Sequence, residues 1–407
     1  MLKRFCCFST LAILLTASIG SAVAEPKYSP GANDREIRIG NTMPYSGPAS
    51  AYASIGVAEA AYFKMINDQG GVNGRKITFI SYDDAYSPSK TMEQTRRLVE
   101  NDEVLLVFQA LGTPTNAAVQ KYLNQKKVPQ LFVGSGASKW GDPRNFPWTM
   151  GLTPTYSSES RAFAGYILEN FPNGRIAILW QNDDAGKDQL QGIKDGLGER
   201  ADMIVASESY EVAEPTVASH IVNLKASGAN IMISLSSPKA AAQAIRKVAE
   251  LGWKPAYFQS SSSASIAAVL RQAGLDNATG LISTAVVKSS SDPTWSNDPE
   301  VLRWKALMDT YHVDGDRTNG NDVAGYIAAQ VLIQVLRQCG DDLTRENVMR
   351  QAANLHDFRP EMLLPGITIN TSPSDYYPIE QLQLIKFNGE RYQPIGGVID
   401  VSTPRKQ

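Results

Sequence analysis

Small and hydroxyl-bearing residues recur at three places where strand-like segments end. Residues 44–48 read PYSGP with Tyr52 close behind, residues 112–115 read GTPT, and residues 134–138 read GSGAS. Backbone N–H groups at a helix start, aided by Ser and Thr hydroxyls, can bind a carboxylate. Ordinary helix capping explains any one loop taken alone. Three such loops, all within the first third of the chain, together favour a site for an anionic group.

Alternating strands and helices must position these loops. Strand-like runs at residues 37–40, 76–82, 104–108 and 130–133 alternate with helical patterns, and a second run follows with strands at 175–180, 203–210 and 231–235. This alternation predicts βαβ units and parallel sheets. Two runs predict an α/β fold of two doubly wound, Rossmann-like lobes, in which ligands bind beyond the carboxyl ends of the strands.

The part of the chain that follows the second run does not simply continue either lobe. Residues 299–311 and 323–338 have helical patterns, and residues 381–388 form a late strand. We therefore expect three crossings between the lobes, near Thr153, Thr284 and Phe358. The first lobe would comprise residues 35–153 plus 284–357, and the second residues 154–283 plus 358–407.

The N-terminal segment has the features of an export signal. Lys3 and Arg4 precede an apolar stretch, and residues 22–24 (AVA) form a small-residue cleavage pattern, so residues 1–24 are predicted to be a signal peptide. A retained membrane anchor is the alternative, but the stretch is short for a bilayer span. We expect a periplasmic protein that is not embedded in a membrane. Cys339 would be its only cysteine, which precludes an internal disulfide.

Charge and motifs argue against several functions. Of 39 Lys and Arg residues, 37 remain without Lys3 and Arg4, against 41 acidic residues, so a nucleic-acid partner is not expected. Residues 87–90 (SPSK) match the S-x-x-K pattern, but its companion motifs are absent. Residues 314–322 hint at a calcium loop, yet Gly325 stands where a bidentate Glu is needed. We predict binding rather than catalysis, with no cofactor and no metal.

Four segments resemble the branched-chain amino-acid type of ABC-transporter solute-binding proteins. They are residues 45–76 (YSGPASAYASIGVAEAAYFKMINDQGGVNGRK), residues 146–148 (FPW), the SSPKAAAQAIRK segment from Ser236, and CGDDLTRENVMRQAANL from Cys339. The resemblance implies a type I periplasmic binding protein fold whose lobes close on a ligand. It also implies a permease partner. We expect a monomer.

The resemblance assigns roles on the first lobe. Thr113 corresponds to the hydroxyl that holds a ligand carboxylate, Gly136 and Ser138 to the second carboxylate-binding loop, and Tyr45 and Tyr52 to an aromatic wall. The segment that returns to the first lobe, residues 284–357, would add contacts from Asn319, Asn321 and Tyr326. A buried helix position explains Tyr326 equally well.

The second lobe departs from the amino-acid pattern. Ala185 stands where the family has an aromatic residue, and the acid that pairs with a ligand ammonium falls in the run 260–263 (SSSS). A buried ammonium without an anionic partner is costly, although Asp183 or Asp184 could substitute. The sequence thus predicts an amine-free organic carboxylate, an aromatic acid such as a benzoate or phenylpropenoid derivative. The alternatives are an amino-acid-binding protein, a periplasmic ligand sensor and an enzyme. The candidate ligand-binding residues are Tyr45, Ser46, Tyr52, Thr113, Thr115, Ser135, Gly136, Ser138, Asp184, Ala185, Ser261, Ser262 and Tyr326.

Overall fold

The structure, a computed structural model, describes residues 27–402. The predicted signal peptide lies outside the described residues. The strands are β1 (Lys27–Tyr28), β2 (Glu36–Met43), β3 (Lys76–Asp83), β4 (Leu106–Phe108), β5 (Gln130–Val133), β6 (Thr149–Gly151), β7 (Ile176–Gln181), β8 (Ile204–Tyr210), β9 (Ile231–Leu235), β10 (Ala256–Gln259), β11 (Ile282–Ala285), β12 (Asp342–Leu343), β13 (Gln381–Phe387) and β14 (Tyr392–Asp400). The helices are α1 (Ala53–Asp68), α2 (Pro88–Glu100), α3 (Thr113–Gln125), α4 (Tyr156–Asn170), α5 (Asp184–Leu197), α6 (Ala218–Ala226), α7 (Pro238–Glu250), α8 (Arg271–Ala273), α9 (Pro299–Tyr311), α10 (Gly320–Cys339) and α11 (Arg345–Ala352).

The first sheet has five parallel strands in the order β3-β2-β4-β5-β6. Alternate side chains of a strand point to opposite faces. Leu106 and Phe108 accordingly join a large core that includes Trp304 of α9 and Leu332 of α10. Val107, between them, packs in a separate core with residues of α2 and α3. Helices therefore cover both faces of this sheet.

The second sheet has seven strands in the order β14-β13-β11-β10-β9-β7-β8. Five are parallel, while β13 and β14 run antiparallel at one edge. Ile176 and Ile178 of β7 face a core with α4 and α5. Ala177 and Leu179 face the opposite core, with α6 and α7. This sheet is doubly wound as well.

The chain passes from one core to the other three times. It leaves the first core after Leu152, returns to it around residues 285–287, and enters the second sheet again at β13. The third crossing thus lies near Glu380, so the prediction near Phe358 is wrong. Residues 358–379 pack in the first core, because Met362, Leu363, Ile367, Ile369 and Ile379 are buried there.

Candidate ligand-binding cleft

The carboxyl ends of strands from both sheets line one cleft of about 410 Å³. Gly112 and Ser135 lie just beyond β4 and β5 of the first sheet, and Ser261 and Ser262 lie just beyond β10 of the second. This is where doubly wound sheets bind ligands, because loops and helix N-termini meet there. The volume is within the usual range for small-molecule pockets.

Helix α3 directs its N-terminus at this region. Its first-turn amides, those of Thr113 and Thr115, have no acceptor within the helix, and no side chain caps it. Gly112 precedes it with φ +100°, and a Cβ atom there would lie 2.4 Å from Cε2 of Tyr86. Glycine is therefore required, because its backbone and the Tyr86 ring meet too closely for any side chain.

Thr113 and Ser135 form a pair of buried hydroxyls at the end of the first sheet. Their oxygen atoms are 2.7 Å apart, and the indole N–H of Trp140 donates to Oγ of Ser135 at 2.9 Å. The pair has two hydroxyl protons but only one bond between its members. One proton therefore remains to be donated to a neighbouring tyrosine or to a ligand.

Tyr156, at the start of α4, closes this part of the cleft. Its backbone N–H donates to the carbonyl of Gly136 at 2.6 Å, and a Cβ atom on Gly136 would lie 2.8 Å from its ring. Burial raises the pKa of the Tyr156 hydroxyl, and hydrogen bonds from the Gly136 amide and the Ser135 hydroxyl oppose this rise. The hydroxyl therefore stays neutral at physiological pH and can either donate or accept a hydrogen bond.

Glu159 supplies a carboxylate to the second-lobe side of the cleft. It is almost fully buried, and its Oε1 accepts from the Ser261 amide at 2.8 Å and from Oγ1 of Thr284 at 2.6 Å. Its Oε2 accepts from Oγ of Ser260 at 2.8 Å. A carboxylate has about four acceptor positions, so Glu159 anchors the serine loop and retains one position for another donor.

Aromatic side chains form much of the remaining wall. Tyr52, Tyr86, Tyr156, Trp295 and Tyr392 all line the cleft. Burial raises the pKa of Tyr52 and Tyr86 well above the usual value, so both keep their protons. The Tyr52 hydroxyl donates to the Ser262 carbonyl at 3.0 Å and so joins the two lobes.

Further hydrogen bonds between the lobes flank the cleft. The Ser138 amide and hydroxyl both donate to Oδ2 of Asp188 at 3.0 Å, and Lys139 pairs with Asp184 at 3.2 Å. Burial raises the pKa of Asp188, an effect opposed by the Ser138 hydrogen bonds. On the other side Arg271 binds Asp316 at 2.6 Å. The acidic loop at residues 314–322, whose sequence hints at a calcium loop, thus contributes a contact between the lobes.

The structure brings together five of the residues predicted from the sequence. The predicted residues that line the cleft are Tyr52, Ser135, Gly136, Ser261 and Ser262. Thr113 lies directly behind Ser135, while the Thr115 hydroxyl donates within its own helix turn to the Gly112 carbonyl at 3.0 Å. Asn321, from the returning segment, also lines the cleft.

Other predicted residues lie outside the cleft lining. On the first lobe, the Tyr45 hydroxyl bonds Oγ of Ser81 and Ser46 bonds Asp83. Tyr326 packs in the core and donates to Glu361, as expected for a buried helix residue. Each of these groups already has a partner within its own lobe.

Four more predictions concern the second lobe and its contacts. Ser138 and Asp184 make the contacts between the lobes described above. Ala185, like Gly186, donates its backbone N–H to the carboxylate of Asp183, which caps α5. The expected substitutes for an ammonium partner, Asp183 and Asp184, are therefore absent from the cleft lining.

Sequence reasoning missed Glu159, Tyr156 and Tyr86. Glu159 corrects the argument that the second lobe offers the cleft no acidic group. The pattern contained a signal for it, since Glu159, Phe163 and Ile167 are spaced four residues apart and share the buried face of α4. Tyr86 had no such signal, because it lies in the loop after β3 with φ +59°.

Comparison with known proteins identifies the class. The family model described as periplasmic binding protein matches residues 36–390. The chain belongs to the periplasmic binding protein family. Family and fold neighbours of this periplasmic binding protein are solute-binding proteins rather than enzymes. Within residues 27–402, no helix is long and apolar enough to cross a bilayer.

Individual relatives of this periplasmic binding protein are distant in sequence. A Leu/Ile/Val-binding protein homolog 1 from Brucella abortus is 23% identical over 314 residues, which is 76% of this chain and 81% of that protein. A branched-chain amino acid ABC transporter structure from Thermus thermophilus, with bound valine, superposes with TM-score 0.82 at 18% identity, covering 90% of this chain and 97% of that one.

A third relative carries a different ligand. The solute-binding protein of an ABC transporter from Rhodopseudomonas palustris BisB5, in complex with 3,4-dihydroxy benzoic acid, has TM-score 0.74 at 20% identity, covering 90% of this chain and 98% of that one. These superpositions confirm the predicted α/β fold of two doubly wound lobes.

Proposed function

We propose that this protein is a receptor that binds a small organic carboxylate between its lobes and delivers it to an ABC importer. The observation that carries the proposal is the composition of the first-lobe wall. Gly112, which precedes the uncapped start of α3, and Ser135, a member of the Thr113–Ser135 hydroxyl pair, both line the cleft. Preorganised donors at a helix N-terminus favour a negative group.

The walls beyond these donors favour an aromatic ring. Tyr52, Tyr86 and Tyr156 surround the donor region, and aromatic rings pack well edge-to-face or offset against one another. Valine and 3,4-dihydroxy benzoic acid, the ligands named for two structures of this fold, both contain a carboxylate. We therefore favour an aromatic acid, of the benzoate or phenylpropenoid type.

An amino acid is the second candidate, and Glu159 favours it. The open acceptor position of this carboxylate could receive a ligand ammonium, whose burial requires an anionic partner. The names of the Brucella relatives also support this candidate. Against it, three donors already occupy Glu159.

Calorimetry with the purified protein separates the two candidates. We expect benzoate and cinnamate to bind and leucine to fail. Glu159→Gln removes the charge but retains the shape of the side chain, so an aromatic acid should still bind. Leucine binding that Glu159→Gln abolishes would refute the aromatic assignment and establish the amino-acid one. Absence of heat with every carboxylate would overturn the carboxylate proposal itself.

Export and oligomeric state complete the proposal. The receptor would act in the periplasm as a monomer after removal of residues 1–24. Mass spectrometry of protein recovered from the periplasm should give an N-terminus at Glu25, and light scattering should give the mass of one chain. A retained leader or a stable dimer would contradict these two points without affecting the ligand assignment.

A further inference from the structure

The cleft extends well beyond the donor wall, the part of its lining that Gly112 and Ser135 form. Its lining includes Val286, Trp295, Ile385 and Pro394, which we call the distal compartment. Ile385 lies on β13 and pairs with Pro394 on β14, the edge strand of the second sheet. Strands β10, β11, β13 and β14 are successive neighbours, and three spacings of about 4.8 Å make roughly 14 Å. The cavity is therefore elongated along the sheet.

Charged groups in and around the distal compartment are already paired. Lys288 is buried, and its Nζ bonds Asp298 at 2.7 Å and Glu300 at 2.8 Å while lying 5.1 Å from the Trp295 ring centroid. Asp292 is 3.8 Å from Arg391. The four side chains that define the distal compartment are apolar or aromatic, which suits a neutral, hydrophobic group.

We infer that the ligand is an elongated acid, with its carboxylate at the donor wall and an apolar or aryl tail in the distal compartment. This inference rests on the proposed carboxylate function and specifies the length of the ligand. A volume of about 410 Å³ greatly exceeds what one benzoate or one valine fills. A tail that displaces water from the distal compartment would gain affinity from each buried CH₂ group.

A homologous series of acids tests the inference. Benzoate, phenylacetate, 3-phenylpropanoate and 5-phenylpentanoate are titrated by calorimetry, together with the matching primary amides. Affinity should rise about fourfold for each added CH₂ until the compartment is full, which corresponds to about 0.8 kcal/mol per group. An affinity that is flat or falls with length overturns the inference and leaves the carboxylate proposal standing.

The amides separate the two proposals. Amides that show the same length dependence and bind as tightly as the acids would refute the carboxylate, while the tail inference would hold. If neither the acids nor the amides bind, both are overturned.

Two substitutions on the same hairpin locate the tail. Ile385→Glu places a charge in the distal compartment, whereas Gln393→Glu adds the same charge one residue before Pro394, on the opposite face of β14. We expect Ile385→Glu to reduce 5-phenylpentanoate affinity to that of benzoate, with benzoate itself unchanged within about twofold. Gln393→Glu should change neither. Equal losses for long and short acids in Ile385→Glu would refute this placement.

Trp295 offers a measurement that does not depend on Ile385→Glu folding. The fluorescence difference between the wild type and Trp295→Phe isolates the distal indole from the other tryptophans. Long acids should change this difference signal, and benzoate should not. A signal insensitive to every long acid that binds would overturn the inference.

Discussion

Glu59 on α1 allows a quantitative prediction about stability. Its side chain is fully buried, and neither carboxyl oxygen has a hydrogen-bond partner among the described residues. Burial raises the pKa of this carboxyl well above its ordinary value of 4.5. We therefore expect Glu59 to stay protonated in the folded protein at neutral pH, whereas the unfolded chain releases the proton. Unfolding becomes more favourable as pH rises.

The magnitude follows from the unfolded chain. Holding a carboxyl of ordinary pKa 4.5 in the neutral form costs about 3 kcal/mol at pH 7 and about 1 kcal/mol at pH 5. Glu59→Gln removes this cost, because an amide does not titrate. The variant should thus gain about 2.5 kcal/mol over the wild type between pH 5 and pH 7. Any cost of burying the amide is independent of pH and cancels in this comparison.

Urea denaturation followed by circular dichroism at pH 5, 6 and 7 measures the effect. Glu93→Gln is the matched control, since Glu93 is exposed on α2, and its difference from the wild type should stay flat. A flat difference for Glu59→Gln as well would refute the reasoning, because it would mean that Glu59 is ionised in the folded protein.

Two further predictions concern contacts that join distant segments. Asp188→Ala removes the acceptor of both Ser138 hydrogen bonds, so closure of the lobes weakens and calorimetry should show ligand affinity about tenfold lower; unchanged affinity would contradict a role in closure. Lys288→Met leaves the carboxylates of Asp298 and Glu300 without their buried partner, which should cost about 3 kcal/mol in urea denaturation at pH 7. The Lys288 hydrogen bond holds the pKa of Asp298 below its ordinary value, so this loss should shrink as acid protonates the carboxylates; a loss constant down to pH 3 would disprove the mechanism.

The sequence predicted the regular part of the fold because its periodicity is strong. Buried parallel strands such as β9 are continuous apolar runs, and α7 has a clear apolar stripe. The sequence pattern did not predict strand β14, because this strand contains Pro394, Gly396 and Gly397. Proline is tolerated there since β14 is an edge strand, and the pairing with β13 is irregular at Gln383 and Leu384.

The candidate cleft was only partly predictable. Hydroxyl-rich loops after β4 and β5 were found because a strand end followed by a helix start is a local pattern. The position of Glu159 opposite Thr284 and Ser260 is not local, since residues 101 and 125 positions apart meet there. The third crossing was misplaced for the same reason. Nothing in residues 358–379 indicates locally which of two cores will bury them.

The interleaved path of the chain has a consequence for how the protein is made. The first sheet is complete by residue 151, yet its main core requires α9, α10 and residues up to Ile379. As the polypeptide emerges from the N-terminus onwards, residues 152–298, most of which belong to the second lobe, must be synthesised before those helices become available. Helix α1 already packs on the apolar face of the first sheet, but the surface that α9 and α10 later bury stays uncovered during that interval. We expect a nascent chain with this connectivity to need protection from premature association. The slow step of its folding should be the late docking of α10.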